Sequence, residues 1–225
     1  RKALPDLNYV ATVYNSIQLE DFDFSGNGGD YIAWLGRVTP TKGLDTAIAV
    51  SQKLDKKIIA YGFIDSGELS YFNNIIKPLL AYSNAQFHGE TKSKQEKTRL
   101  FANARLLLFP IRWDEPFGIV MIEAMSCGTP VVAFAHGSVP EVIKDGETGF
   151  IVNPSNDDIR GNFLIKKTGI EGLCEAIERI YSMPDTEYQK MRRASRAHVE
   201  KNFRIERMVD KYEEVYKKIL SQNLT

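Results

Sequence analysis

From Tyr31 onward, short apolar runs rich in β-branched and aromatic residues alternate with stretches whose apolar side chains recur at three- and four-residue spacing. The runs are Tyr31–Leu35, Ile58–Gly62, Ala85–His88, Leu106–Pro110, Val131–Phe134 and Gly149–Val152, which predicts about six strands. Between the first two, Leu44, Ala47, Ile48 and Leu54 share a helical face. Leu69, Phe72, Ile75, Ile76, Leu79 and Leu80 repeat the pattern before Ala85, with Pro78 inside it and expected to kink or shorten that helix. Such alternation implies βαβ units: an α/β chain with a doubly wound, mostly parallel, Rossmann-like sheet. Beyond Lys166 the pattern is helical only, over Ile170–Tyr181, Glu187–Glu200 and Ile205–Leu220. The last carries Met208, Val209, Tyr212, Val215, Tyr216 and Ile219 along one stripe. A helical tail over 170–221 therefore closes a domain that spans 31–225.

Residues 1–30 stand apart as a linker and edge segment. They hold one candidate strand, Tyr9–Tyr14, and the polar cluster Ser25-Gly26-Asn27-Gly28-Gly29, which reads as a flexible linker. The cluster has no strand before it and no helix after it, so it is not a phosphate loop. The opening Arg1-Lys2-Ala3-Leu4-Pro5 lacks an apolar h-region and an initiator Met, and is expected to be the start of an excised piece rather than a signal peptide.

Composition narrows the partners. The 225 residues carry 29 Lys+Arg against 29 Asp+Glu, scattered rather than blocked, so no global field draws in nucleic acid or acidic lipid. The longest apolar stretches fall far short of the roughly 20 residues that cross a bilayer. Cys127 and Cys174 are isolated, and His88, His136 and His198 lie far apart, so neither a disulfide framework nor a zinc motif is present. The cysteine usage suits a reducing compartment, and the expected location is cytoplasmic.

In open α/β sheets, ligands bind where strands end at their carboxyl edge, so the residues after each run carry the chemistry. After the first run come Gly36-Arg37 and Lys42-Gly43: two cations on a loop entering a helix, suited to an anionic ligand or, equally well from spacing, to two solvated charges round a turn. After the fourth run comes Trp113-Asp114-Glu115-Pro116-Phe117-Gly118-Ile119, continuing to Glu123 and Gly128. Pro116 fits a first helical position and Gly128 a C-terminal cap, which predicts a helix of about three turns with free amides at Phe117, Gly118 and Ile119 facing an anion. On that helix Glu115 and Glu123 lie roughly 12 Å apart, one at the mouth and one deep. They match hydroxyl-rich groups at opposite ends of a sugar diphosphate nucleoside; the alternative is a dipole-favoured Glu followed by a surface Glu. After the fifth run, Ala135 to Val142 and the Asp145-Gly146 turn read mainly as structural. His88 and His136 each follow a strand, as loop hydrogen-bonders or ligand contacts.

Taken together, Gly36-Arg37 with Lys42-Gly43, Glu115-Pro116-Phe117-Gly118 to Glu123-Ala124-Met125, Cys127-Gly128-Thr129-Pro130, Gly137-Ser138-Val139-Pro140-Glu141 and Asp145-Gly146-Glu147-Thr148-Gly149 resemble the C-terminal, donor-binding domain of retaining glycosyltransferases of family 4 (group 1). The resemblance runs from about Tyr31 to the C-terminus. It implies one half of a GT-B fold, with a missing N-terminal acceptor domain of roughly 150–200 residues, the size of a full domain. It further implies a UDP-hexose donor, no metal or other cofactor, and an acceptor that is a glycan, lipid or small molecule, as in polysaccharide biosynthesis. Membrane contact, if any, is peripheral and made through the missing half. By the same resemblance Arg37, Lys42 and Glu115 are the catalytic set. Arg37 and Lys42 hold the diphosphate, Glu115 the transferred sugar and Glu123 the ribose, with Phe117, Gly118, Ile119 and His88 also touching the donor. Val13-Tyr14-Asn15-Ser16-Ile17 resembles the family's Asn-Gly connector, with Ser16 where the family has glycine. The competing functions are a non-catalytic nucleotide-binding or interaction domain and half of a nucleotide-sugar epimerase or phosphorylase.

Overall fold

A computed structural model describes residues 9–222 of the chain. The reading of residues 1–5 lies outside them. Six strands, β1 (Tyr31–Leu35), β2 (Ile58–Tyr61), β3 (Ala85–Phe87), β4 (Ala104–Phe109), β5 (Val131–Phe134) and β6 (Gly149–Val152), form one parallel sheet in the order β3-β2-β1-β4-β5-β6. The helices are α1 (Leu44–Leu54), α2 (Leu69–Tyr71), α3 (Lys77–Ala81), α4 (Lys94–Ala102), α5 (Ile119–Ser126), α6 (Val139–Val142), α7 (Gly169–Ser182), α8 (Asp185–Asn202) and α9 (Ile205–Gln222). This is the doubly wound, Rossmann-like architecture with a helical tail that the pattern predicts.

Both faces of the sheet are covered, which is why the strands read as continuous apolar runs. Alternate residues go to opposite cores. Ile32 and Trp34 of β1, Leu106 and Leu108 of β4, and Val132 and Phe134 of β5 pack with α1 and α7 residues. Ala33, Leu107, Phe109, Val131 and Ala133 pack on the other face with α4, α5 and α8 residues.

Four details depart from the pattern. A π turn over Phe72–Ile76, in which the Lys77 amide donates to the Phe72 carbonyl, joins α2 to α3. Pro78 supplies no N–H and its ring crowds the preceding turn, so the helix widens just before it instead of simply kinking. Tyr9–Tyr14 forms no strand, and in this stretch only Ile17 makes an isolated bridge, to Arg204. Helix α4 has no counterpart in the predicted elements, although Ser93 and Glu96 form a capping box at its start: the Ser93 hydroxyl accepts from the Glu96 amide, and the Glu96 carboxylate accepts from the Lys92 amide. The glycine cluster is tied down. A Cβ on Gly29 would lie 1.9 Å from the Asn103 carbonyl oxygen, and the Ser25 carbonyl accepts from the Nε and Nη2 of Arg192 at 3.1 and 2.8 Å.

Arg192 anchors this arrangement. It is fully buried, lies beside the Tyr188 ring, and also donates to the carbonyls of Ala104, Ala102 and Cys127. One guanidinium thereby satisfies carbonyls from the glycine cluster, α4, β4 and the end of α5. Arg192→Met should lower the unfolding free energy by at least about 3 kcal/mol, because it strands several buried carbonyls. Arg193→Met, on the exposed face of the same helix, should change it by no more than about 0.5 kcal/mol in the same urea titration.

Candidate functional site

The strand order reverses between β1 and β4, since β2 and β3 lie to one side of this pair and β5 and β6 to the other. A crevice opens where neighbouring crossovers diverge at the carboxyl edge, and the loops after β1 and β4 line it. The two loops are fastened together. The Arg112 amide donates to the Thr41 carbonyl at 2.8 Å, and its guanidinium bonds Asp45 at 2.8 Å and the Thr46 hydroxyl. Gly43 has φ 71°, and a Cβ there would sit 2.3 Å from the Pro110 carbonyl oxygen, so only glycine permits the approach.

On this frame Lys42 and Glu115 meet. The Lys42 Nζ lies 2.5 Å from Oε2 of Glu115, with both side chains mostly buried, at 17% and 14% exposure. Trp113 donates its indole N–H to the same oxygen at 3.0 Å, and the Lys42 ammonium stands 5.3 Å from the Trp113 ring centroid. Glu115 Oε1 carries no partner among the described residues. Arg37 is exposed on the first loop and makes no ion pair among the described residues.

Helix α5 begins at Ile119, three residues later than predicted, and Gly118 is its N-cap with φ 75°. Pro116 imitates a first helical position but lies in the loop. What starts the helix is the left-handed Gly118, where a Cβ would fall 2.6 Å from Met121 Cε. No side chain caps the first turn, so amides there point to the carboxyl edge beside Glu115. The Gly128 cap is present, with φ 81°. The two glutamates therefore do not span a helical rise, since Glu115 is in extended loop and Glu123 is one turn into α5. The side chain of Glu123 is 12% exposed, against 14% for Glu115, and pairs with Lys97 of α4 at 2.5 Å.

The loop from β5 to α6 supports Glu115 from behind. The Ser138 amide donates to the Glu115 carbonyl at 2.9 Å and its hydroxyl to the Phe117 carbonyl at 2.7 Å. Gly137, with φ 55°, would place a Cβ 2.3 Å from that Glu115 carbonyl oxygen. The Gly137 amide and Arg160 both bond Asp114, and the Arg160 guanidinium holds the Asp114 carboxyl below its usual range. His136 is buried 3.5 Å from Asp114, and burial pushes its imidazole pKa down, so it stands neutral at pH 7. Asp145 receives the Ile151 and Leu164 amides and is structural, as its turn motif indicates. An open cleft of about 640 Å³ runs between Glu115, Pro116, Gly137, Ser138, Glu141 and Arg160. His88 lies apart from it, exposed at the end of edge strand β3 and stacked on Tyr61 with ring centroids 5.2 Å apart.

The structure thus brings Lys42, Glu115, Gly118 and Ile119 to one crevice, with Arg37 on its rim, and leaves His88 two strands from β1. Trp113, Arg112, Arg160 and Lys97 are the participants to which the sequence assigned no role. The Ser-x-x-Glu capping box was the signal that could have located Lys97 on a helix.

A parallel sheet in this order, with cations and an uncapped helix N-terminus at its switch point, defines a doubly wound α/β domain whose carboxyl edge suits an anionic ligand. The chain belongs to the glycosyl transferases group 1, whose family model matches residues 20–198. It is similar to the D-inositol 3-phosphate glycosyltransferase of Mycobacterium sp. (strain KMS), 32% identical over 125 residues that cover 54% of this chain and 28% of that enzyme. In three dimensions it resembles Anabaena HepE, solved with UDP and glucose, at TM-score 0.76 and 20% identity, over 92% of this chain and 57% of that one. It also resembles the C-terminal domain of a group 1 glycosyl transferase from Francisella tularensis, at TM-score 0.66 and 19% identity, over 84% and 99% respectively. The fold is therefore the C-terminal half of GT-B. The chain spans about a quarter to a half of the length of the curated relatives it matches. No helix among the described residues is long and apolar enough to cross a membrane.

The Lys42–Glu115 contact should be measurable without ligand. A double-mutant cycle with Lys42→Met and Glu115→Gln, read by urea denaturation, should give a coupling of about 1–2 kcal/mol, since both charges are mostly removed from water. A coupling near zero would mean that the pair does not persist in solution.

Proposed function

We propose that this chain is the donor-binding half of a retaining, metal-independent hexosyltransferase that uses a nucleoside diphosphate sugar, with a UDP-hexose favoured. The observation that carries this reading is the meeting of Lys42, Glu115 and the uncapped start of α5 at the switch point, each on a different segment of a group 1 glycosyltransferase domain. The UDP in the HepE structures supports the choice of nucleotide. The acceptor, a glycan, lipid or small molecule, would be supplied to the cleft from the missing N-terminal half.

In this reading the donor diphosphate enters between the loops and takes Lys42 as its partner, with Arg37 folding in from the rim. The amides of Gly118 and Ile119, backed by Phe117, donate to the same phosphate oxygens or to the sugar beside them. Cleavage of the glycosyl phosphate bond leaves the bonding pair and a growing negative charge on the diphosphate oxygen. The two cations, once gathered on the diphosphate, and the helix N-terminus beside them stabilise that charge electrostatically. Lys42 released from Glu115 leaves the carboxylate held by Trp113 and open at Oε1 to the hydroxyls of the transferred sugar. Glu123 accepts from the ribose diol. His88, on its Tyr61 shelf, lies toward the outer strands and contacts the far end of the donor. Same-face delivery of the acceptor needs no protein nucleophile, and retention follows from that geometry.

Calorimetry on single substitutions tests these roles. Arg37→Ala and Lys42→Ala should each weaken UDP at least about tenfold while changing uridine little, because a charge-assisted bond to phosphate contributes about 1.5–3 kcal/mol. Glu115→Gln should spare UDP and weaken UDP-glucose. Equal losses for uridine and UDP would contradict the phosphate assignment, and an effect of Glu115→Gln on UDP as large as on UDP-glucose would contradict the sugar assignment.

A further inference from the structure

Glu123 is the more unusual of the two glutamates. It sits one turn inside α5 among Met121, Ile122, Ala124 and Met125, all buried, and a carboxylate there is costly unless it is paired. Its partner comes from α4, packed alongside on the same face of the sheet. Lys97 Nζ lies 2.5 Å from Oε1, and the same ammonium stands 5.5 Å from the Phe22 ring centroid. Lys97 itself is mostly buried, at 23% exposure. The ion pair uses one oxygen only. Oε2 has no partner among the described residues and is not sealed from solvent.

We infer that Lys97 is a positioning residue for donor recognition: by fixing Oε1 of Glu123 it holds the carboxylate turned so that Oε2 accepts from the ribose diol. The inference rests on the ribose role proposed for Glu123 and adds to it the group that makes that role selective. A carboxylate on a long side chain can rotate about its last torsion, and a neighbour that pins one oxygen removes that freedom. The pin is itself fixed, because Lys97 projects from the start of a capped helix and its ammonium lies over the Phe22 ring. The ammonium donates only to Oε1, so the lone pairs of Oε2 remain for hydroxyl donors. With the ammonium gone, the carboxylate would have no countercharge in a mostly apolar setting and no fixed orientation. A ligand with a diol would then gain less over one without.

The experiment compares UDP with 2′,3′-dideoxyuridine 5′-diphosphate on the full chain by calorimetry. Probes differing only in the diol isolate the carboxylate contact from phosphate and base. The unmodified chain should prefer UDP by about tenfold or more, the value of a hydroxyl-to-carboxylate bond. Glu123→Gln should remove most of that preference. Lys97→Met, which keeps an unbranched apolar stem but not the charge, should reduce it several-fold while leaving the dideoxy ligand within about twofold of its original affinity. Lys97→Arg should retain it. Because the readout is a ratio of two ligands on one variant, a general loss of stability does not move it; if Lys97→Met does not fold, Lys97→Leu carries the same comparison. An unchanged ratio in Lys97→Met beside a collapsed one in Glu123→Gln would overturn the inference and leave the ribose role standing. An unchanged ratio in Glu123→Gln would overturn the ribose role itself, and absence of UDP binding to the unmodified chain would overturn the donor reading.

Discussion

The reversal of strand order between β1 and β4 is the constraint on which the rest of the site depends. At every other place in the sheet a crossover helix runs over the ends of adjacent strands, but here the two chains leave in opposite directions and the carboxyl edge stays open. Two polar loops face each other across that gap, and each brings a charge that would be unstable alone in a half-buried crevice. Lys42 and Glu115 answer each other, with Trp113 fixing the carboxylate. The same separation of charge suits a ligand that is anionic in the middle and rich in hydroxyls at its ends. The pair is thus both what steadies the empty crevice and what a diphosphate sugar would divide between its parts.

Backbone closeness makes this possible, and glycine supplies it at two points. Gly43 lets the first loop approach Pro110, and Gly137 lets the β5–α6 loop press on the Glu115 backbone. Side chains then lock the loops: Arg112 across the crevice, Ser138 behind Glu115 and Phe117, and Arg160 on Asp114. Further out, Arg192 binds the chain entering at Ser25 to the body of the domain, and Tyr14, Phe117 and Phe203 pack as an aromatic cluster between the incoming segment, the Glu115 loop and the end of α8. The site is built into the domain core.

The strands were legible because a sheet buried on both faces leaves an apolar run with no alternation, and six such runs with helical spacers permit few arrangements. The three tail helices were legible from their stripes. Helix α4 was not: its start, Lys94 to Lys97, reads as a charged loop, and only Thr98, Leu100 and Phe101 are buried. The start of α5 was misplaced because Pro116 satisfies the local rule for a first helical residue, whereas the actual cap, Gly118, is set by contacts with Met121 and Phe109. The glycine cluster looked flexible because its partners, Asn103 and Arg192, lie far along the chain. Arg37, Lys42, Glu115 and Glu123 could be singled out by type and position after strands. Which of them pair, and with what, depended on the register of two helices and the facing of two loops, neither of which local sequence specifies.

The most direct test of the account follows the backbone amides of the full chain by nuclear magnetic resonance while UDP is added. If the switch point is the donor site, the largest shifts fall on residues 36–43 and 115–121, with a second group near Lys97 and Glu123. A concave apolar site of about 370 Å³ at the opposite edge, between Gly146, Met183, Glu187 and Met191, offers the internal comparison. Shifts concentrated there, with residues 36–43 and 115–121 unmoved at saturating UDP, would contradict the account.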